Sequence, residues 1–509
     1  MRRVTLPVRR PTAPPVGEAA DAAPAMRPLA ADVAGYGFGL AIQRAFGILV
    51  PLVYVSILTR GDYGALDAVL SIAPLLALVV FLGVDVALPR LYFERRDERW
   101  RRRLVATAFY VVGMSTLAMI GMCAVFSRPL ALLLYDDPAY VPLFRLVLLS
   151  LPFSLMHGFQ MTVLRIKRRI AIFNVLATTN LLVAAGVSIY AVTVWRMGAA
   201  GVLCGIVAAY AVTAVAGAVL NRTDLWHAPL GGEFRGLLAI GLPMVAAGAG
   251  QWSLQFIDRL FLVRFVSREE LALYAVANGI AAVAALFITA FQNAWVPFAF
   301  SALGHRDASR LYARTLTLFV AVGGLVVVAT AIFADEMLFL IRFATGKNYD
   351  AAAACVGPLA VGSLFSGVYL VVQTGAHVVK RTAVIALTTA LAAVVNVVLD
   401  LHLIPTRGIL GAAVATAIGH LTATVGLYVF AQRLAYIPYD VTKVVVTLAA
   451  TVAAIALARL ASSSGFGTGA LLDMAICGSF ALLVATVVAR DEVRRLIETV
   501  RRALPPTRS

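Results

Sequence analysis

The chain has 509 residues, of which 61% are hydrophobic and 14% charged, and its mean hydropathy of +0.89 lies above that of a water-soluble globular chain. Its apolar stretches, about fourteen of roughly 20 residues, can each cross a ~30 Å bilayer core as a helix, and the longest interruptions are too short for a soluble nucleotide-binding or glycosyltransferase domain. The net charge of +17 would point to nucleic acid in a soluble protein; here it is a topology signal first, because membrane proteins gather Lys and Arg in cytoplasmic loops.

In chain order, residues 1–32 mix Pro, Ala and Arg without the apolar core and cleavage site of a signal peptide, and are expected to form a disordered cytoplasmic tail. Hydropathy then predicts helices over 33–58, 64–88, 104–126, 140–163, 170–193, 199–221, 236–263, 269–301, 315–333, 351–377, 383–404, 409–430, 441–460 and 469–489, followed by a basic cytoplasmic tail, 490–509. With the N-terminus inside, 31 Lys and Arg fall on the cytoplasmic side and 8 on the other, which sets the orientation and puts both termini in the cytoplasm. The densest clusters are Arg95, Arg96, Arg99, Arg101, Arg102 and Arg103, and then Arg165, Lys167, Arg168 and Arg169; both are topology anchors that could also meet anionic lipid headgroups.

Arg44, Arg145, Arg259 and Arg459 lie inside apolar stretches. Arg459 sits at a helix end, where it can snorkel to the interface. The other three should face a wet cavity or a carboxylate, because a guanidinium in hydrocarbon costs at least ~2.5 kcal/mol and cannot escape by losing its proton. Asp258 and Arg259 are adjacent, and neighbouring helical residues do not face each other, so each is expected to pair with another helix. The acidic residues in apolar stretches are Asp67, Asp85, Asp258, Asp400 and Asp473. Asn396 and Asp400, four apart on one face, could hold a cation, although Asp400 near a helix end is expected to be solvated. The four cysteines stand singly and form no metal or disulfide pattern.

A repeat is visible. Gly198-x-x-Gly201 returns as Gly408-x-x-Gly411 at an offset of 210, each after an asparagine on the preceding helix, Asn180 and Asn396; Gly64-Ala65-Leu66-Asp67 falls on Ala272-Leu273-Tyr274-Ala275 at an offset of 208. The expected architecture is an all-α polytopic membrane protein of about 14 transmembrane helices. Two pseudo-symmetric six-helix halves, 33–221 and 236–430, would enclose a central cavity, with an extra helix pair at 441–489.

Gly241-Leu242-Pro243, Phe256-Ile257-Asp258-Arg259-Leu260-Phe261-Leu262, Tyr274-Ala275-Val276-Ala277, Ala294-Trp295-Val296-Pro297, Leu403-Ile404-Pro405 and Gly411-Ala412-Ala413-Val414-Ala415-Thr416 follow in order. Over roughly residues 33–430 the chain resembles the oligosaccharide flippases (Wzx-type polysaccharide biosynthesis proteins) of the multidrug/oligosaccharidyl-lipid/polysaccharide exporter superfamily. The extra helix pair departs from the twelve helices of many members and matches the fourteen of the related lipid II flippases.

The resemblance implies movement of a polyprenyl-diphosphate-linked oligosaccharide across the bacterial inner membrane by alternating access. A wet groove whose cations replace the hydration of the diphosphate would lower the barrier, and the planar fork of arginine suits that role. Arg44, Arg145 and Arg259 are therefore the candidate diphosphate contacts, Arg259 being alternatively a structural or gating salt bridge and Arg145 able to snorkel outward. His157, Gln160, Gln292 and Asn293 are candidate sugar contacts, each also able to tie helix to helix. Asp258, Asn396 and Asp400 are candidates for gating or for coupling to a proton or sodium ion. No catalytic residue, metal site, cofactor or nucleic-acid partner is assigned. The alternatives are a cation-coupled drug or metabolite antiporter of the same superfamily and a noncatalytic membrane subunit of a glycan synthase complex. A membrane-embedded polymerase or ligase would need a large outer loop, which is absent from the sequence.

Overall fold

The computed structural model describes residues 47, 49–95, 97–225, 227–301, 308–378, 381, 383–461 and 466–484; Arg44 and both expected tails lie outside the described residues. All regular structure among these residues is helical. After a helical stretch at 49–57 come α1 (Arg60–Phe81), α2 (Val84–Glu94), α3 (Glu98–Tyr135), α4 (Val141–Ile166), α5 (Ile170–Thr193), α6 (Gly198–Leu220) and α7 (Gly231–Phe265). They are followed by α8 (Arg268–Ser301), α9 (Ala308–Ile332), α10 (Ala334–Thr345), α11 (Ala353–Val378), α12 (Ala383–Leu434), α13 (Val441–Ala461) and α14 (Phe466–Leu483). Eleven helical spans among the described residues are long and apolar enough to cross a membrane. One is α12, whose 52 residues are two helices joined at Gly408 (φ 55°, ψ −134°).

The chain is a multi-pass membrane protein, and its outward faces show the solvent they meet. On α5, Val175, Leu182 and Ile189 recur every seventh residue and are all exposed. In water such a stripe would be a liability; against lipid tails it is the ordinary helix surface. Helices satisfy most of their backbone groups internally, as a membrane core demands.

Three expectations change. The predicted 64–88 helix is two helices, because Leu82 and Gly83 are left-handed (φ 54° and 69°) where Gly241 of α7 presses on them. A Cβ on either Gly83 or Gly241 would run into backbone of the other segment, which explains the glycine of the Gly241-Leu242-Pro243 motif. The short α10 was not anticipated, since half its faces are exposed and its hydropathy is interrupted by Asp335, Glu336 and Arg342. Asp400 is fully buried, not solvated: the turn at Gly408 folds the next helix back, and a Cβ on Gly411 would strike the Leu403 backbone.

The chain forms two compact units, one holding the described residues up to Ala275 and the other those from Val276 on. The division runs through α8, whereas the expected halves meet in the 222–235 loop. The physical reason is that α7 packs on α1, α2 and α3 within the first unit. The Trp252 indole, for example, donates to the Ser71 carbonyl at 2.8 Å. Gly64 and Ala272, matched by the repeat, touch: a Cβ on Gly64 would come within 2.9 Å of the Ala272 nitrogen.

The glycine repeat has a structural cause. Gly198 and Gly408 both take φ 55°, a left-handed turn that costs an L side chain roughly 1–2 kcal/mol. In each case a stripe with a four-residue period follows and is buried: Gly201, Gly205, Ala209, Thr213 and Gly217 in α6, and Gly411, Ala415, Gly419, Ala423 and Leu427 in α12. Small residues let each helix lie close against the preceding one.

Candidate functional site

Within the first unit, α1, α4, α5 and α6 enclose a cavity of about 780 Å³. Its wall on α4 is mainly one stripe, Leu151, Ser154, Leu155, Gly158, Thr162 and Arg165, with Ser150 beside it, at the three- and four-residue spacings that share one helical face. Asn180, on α5, and Tyr210, on α6, add polar groups, and Asp85 of α2 also lines it. Pro74 in α1 and Pro152 in α4 lie in the helices that bound it; a proline inside a helix removes one ladder hydrogen bond and bends the chain. The cavity is thus apolar over much of its wall, with hydroxyls, an amide, a carboxylate and one guanidinium. Arg165 is exposed, and its guanidinium carbon stands 5.6 Å from the Phe173 ring centroid.

A second polar set is buried between α1, α7 and α8. The Arg259 Nε donates to Asp67 Oδ2 at 3.2 Å, and its Nη1 donates to Asp258 Oδ1 and to the Gln255 carbonyl, both at 2.9 Å. The Tyr274 hydroxyl donates to Asp258 Oδ2. The Phe256 and Tyr274 rings flank the guanidinium, with centroids at 5.5 and 5.2 Å. Asp258 and Arg259 therefore find the partners expected on other helices, and also pair with each other, which the sequence reading excluded. The long arginine side chain curls back over its own preceding turn, so adjacent residues meet without sharing a face.

Of the expected site residues described in the first unit, Arg145, His157 and Gln160 lie at separate places on α4. Arg145 is exposed near the start of α4, and its Nε donates to Ser127 Oγ at 3.3 Å. Gln160 is fully buried, its Oε1 accepting from the Asn221 amide at 2.7 Å. His157 is half-buried against Tyr210, ring centroids 5.6 Å apart, next to cavity-lining Gly158. In the other unit Gln292 and Asn293 are exposed on α8. Asn396 and Asp400 are fully buried on α12, and neither polar atom of the Asn396 amide has a hydrogen-bond partner. Its repeat counterpart Asn180 donates to Thr213 Oγ1 at 3.2 Å. Arg165, the guanidinium on the cavity wall, was not among the expected contacts; its signal was the stripe Ser154, Gly158, Thr162, Arg165, masked by the neighbouring basic cluster. Among the described residues no group of His, Cys, Asp and Glu could hold a metal ion.

A family model described as "Polysaccharide biosynthesis protein" matches residues 54–354. Among solved structures, the lipid II flippase MurJ in an inward closed conformation is similar at 12% identity and a TM-score of 0.67, over 90% of this chain and 99% of that one. An inward-facing multidrug resistance MATE family transporter of the MOP superfamily is similar at 13% identity and 0.66, over 80% and 95%. A MOP superfamily transporter from Pyrococcus furiosus follows at 13% identity and 0.54, over 78% and 93%. No curated protein matches the sequence. The structural likenesses establish the fold.

Proposed function

Because the chain belongs to the polysaccharide biosynthesis protein family, we propose that it is a flippase that carries a polyprenyl-diphosphate-linked oligosaccharide across the bacterial inner membrane for surface polysaccharide synthesis. The observation that supports this most is the cavity of the first unit, whose otherwise modestly polar wall carries Arg165. A sugar diphosphate needs a cation for its charge and hydroxyl or amide partners for its sugars, while its polyprenyl chain needs only lipid. Ser154, Thr162, Asn180 and Tyr210 supply the neutral partners, and the Arg165 fork supplies the charge.

For Arg259 the structural salt bridge is favoured over contact with the diphosphate. Its Nε and Nη1 donate to two carboxylates and a carbonyl, so it serves as a latch between α1 and α7. Since α1 also lines the cavity, alternating access would couple the latch to the site. Both termini lie in the cytoplasm, following the basic asymmetry of the sequence. A second reading, a cation-coupled antiporter, is favoured by the buried, unpartnered amide of Asn396 one turn from Asp400; the same pair could couple a cation to the flippase.

The test is reconstitution in vesicles with a fluorescent polyprenyl-diphosphate oligosaccharide. Arg165→Ala should slow its translocation roughly 10- to 100-fold, the loss of a charge-assisted hydrogen bond, at unchanged membrane abundance. Arg165→Lys should recover part of the rate, and Arg44→Ala should be tested beside it. Normal translocation by Arg165→Ala would remove the cavity from the mechanism.

A further inference from the structure

The cavity of the first unit carries a second charge besides Arg165. Asp85, in the first turn of α2, is exposed and lines the cavity wall. The residue that caps α2 is Gly83, and no side-chain hydrogen bond closes that end, so Asp85 is not held there as a cap. Among the described residues its carboxylate has neither a hydrogen-bond nor an ion-pair partner, and Arg165 has no carboxylate partner.

The two charges share one end of the cavity. A Cβ on Gly158 would stand 3.9 Å from the Phe81 ring, which sets the end of α1 against α4. Asp85 follows Phe81 by four residues and Arg165 follows Gly158 by seven, and α2 packs on α4 beyond that point. Asp85 and Arg165 are the only charged groups among the described lining residues. A diphosphate esterified at both ends carries one negative charge on each phosphate at neutral pH. One guanidinium offsets one of these, and the carboxylate restores the deficit. Such a site is short of two positive charges, and a water-poor surrounding makes that shortfall costly.

We propose that the lipid-linked diphosphate is taken up as its magnesium complex, with Asp85 as the protein's ligand to the metal and Arg165 on the phosphate oxygens. The inference rests on the flippase reading and deepens it. One divalent cation brings the charge of substrate, Asp85 and Arg165 to zero. Magnesium suits the donor set, because it takes oxygen ligands, keeps several waters and is ordinarily held by one or two carboxylates together with substrate phosphates. A single carboxylate is too few to hold the ion without those phosphates, so metal and substrate enter and leave together. At about 780 Å³ the cavity has room for the retained waters.

The experiment is binding of a fluorescent polyprenyl-diphosphate oligosaccharide to the full chain in phosphatidylcholine nanodiscs, with magnesium and with EDTA. The zwitterionic lipid gives magnesium no anionic surface to screen. The wild type should bind about tenfold more tightly with magnesium, the scale of one charge-assisted contact. Asp85→Asn should bind at least as well as the wild type in EDTA, because a repelling carboxylate is gone, and should lose most of the magnesium gain. Asp85→Glu should keep that gain. Arg165→Ala should weaken binding in both conditions and also keep the gain. Equal binding by the wild type with and without magnesium, or a gain in Asp85→Asn as large as that of the wild type, would overturn the proposal and leave the flippase reading standing. A wild type that binds the lipid in neither condition would overturn both.

Discussion

Two buried polar sets in this molecule differ in one respect. In the first unit, Asp67, Asp258, Arg259 and Tyr274 form one hydrogen-bonded set in which the guanidinium donates from Nε and Nη1. In the second, Asn396 is equally buried and its amide makes no hydrogen bond. A saturated network rigidifies the helices it joins, whereas an unsatisfied buried amide costs about 1–3 kcal/mol and persists where something other than stability requires it. The first set ties α1, α7 and α8 together, and the second leaves a buried amide unsatisfied.

The largest test of that contrast is Arg259→Ala. It leaves Asp67 and Asp258 facing each other across a vacated space, and should destabilise the protein by about 3–5 kcal/mol. The measurement is the unfolding midpoint in detergent. The double variant Asp258→Asn with Arg259→Met should recover part of the loss, because it removes one of the two stranded charges, the more deeply buried one. A near-normal midpoint for Arg259→Ala would mean that the set is not a latch.

Asn396→Leu should act in the opposite sense. Replacing an unpartnered amide with an apolar group of similar size should leave stability unchanged or raise it by about 1 kcal/mol, while abolishing any dependence of transport on a sodium or proton gradient. Asn180→Leu, which breaks the bond to Thr213, should instead lower stability by about 1 kcal/mol. If both asparagine variants lose stability alike, the contrast between the unpartnered Asn396 amide and the bonded Asn180 is wrong.

The smallest effect lies at the end of α3. Asp137 accepts the Ala139 amide at 2.8 Å and pairs with Arg268. Partial burial pushes its carboxyl pKa up, but the amide and the guanidinium pull it lower still, to a net value below the usual one. A carboxyl depressed in the folded state stabilises above its unfolded pKa, and that contribution disappears as pH falls through the folded pKa. Asp137→Asn should therefore lower stability slightly at neutral pH and flatten the acid limb of the stability profile. An unchanged acid limb would remove Asp137 from the account. Asp137 is accordingly a helix-end device, with a partner in Arg268.

The spacing of apolar residues determined where the helices lie, and α5 begins and ends where hydropathy puts it. That was legible because a bilayer forces each span to satisfy its backbone internally, so length and composition suffice without knowledge of neighbours. The glycine repeat was legible for a related reason: a left-handed turn followed by a close helix contact restricts side chains at fixed local spacings. Tertiary structure alone decided the break at Gly83, the burial of Asp400, the partners of Arg259 and the selection of Arg165 over Arg145 for a cavity wall. Each depends on which distant backbone or carboxylate arrives opposite a residue, and neither hydropathy nor helical period carries that information.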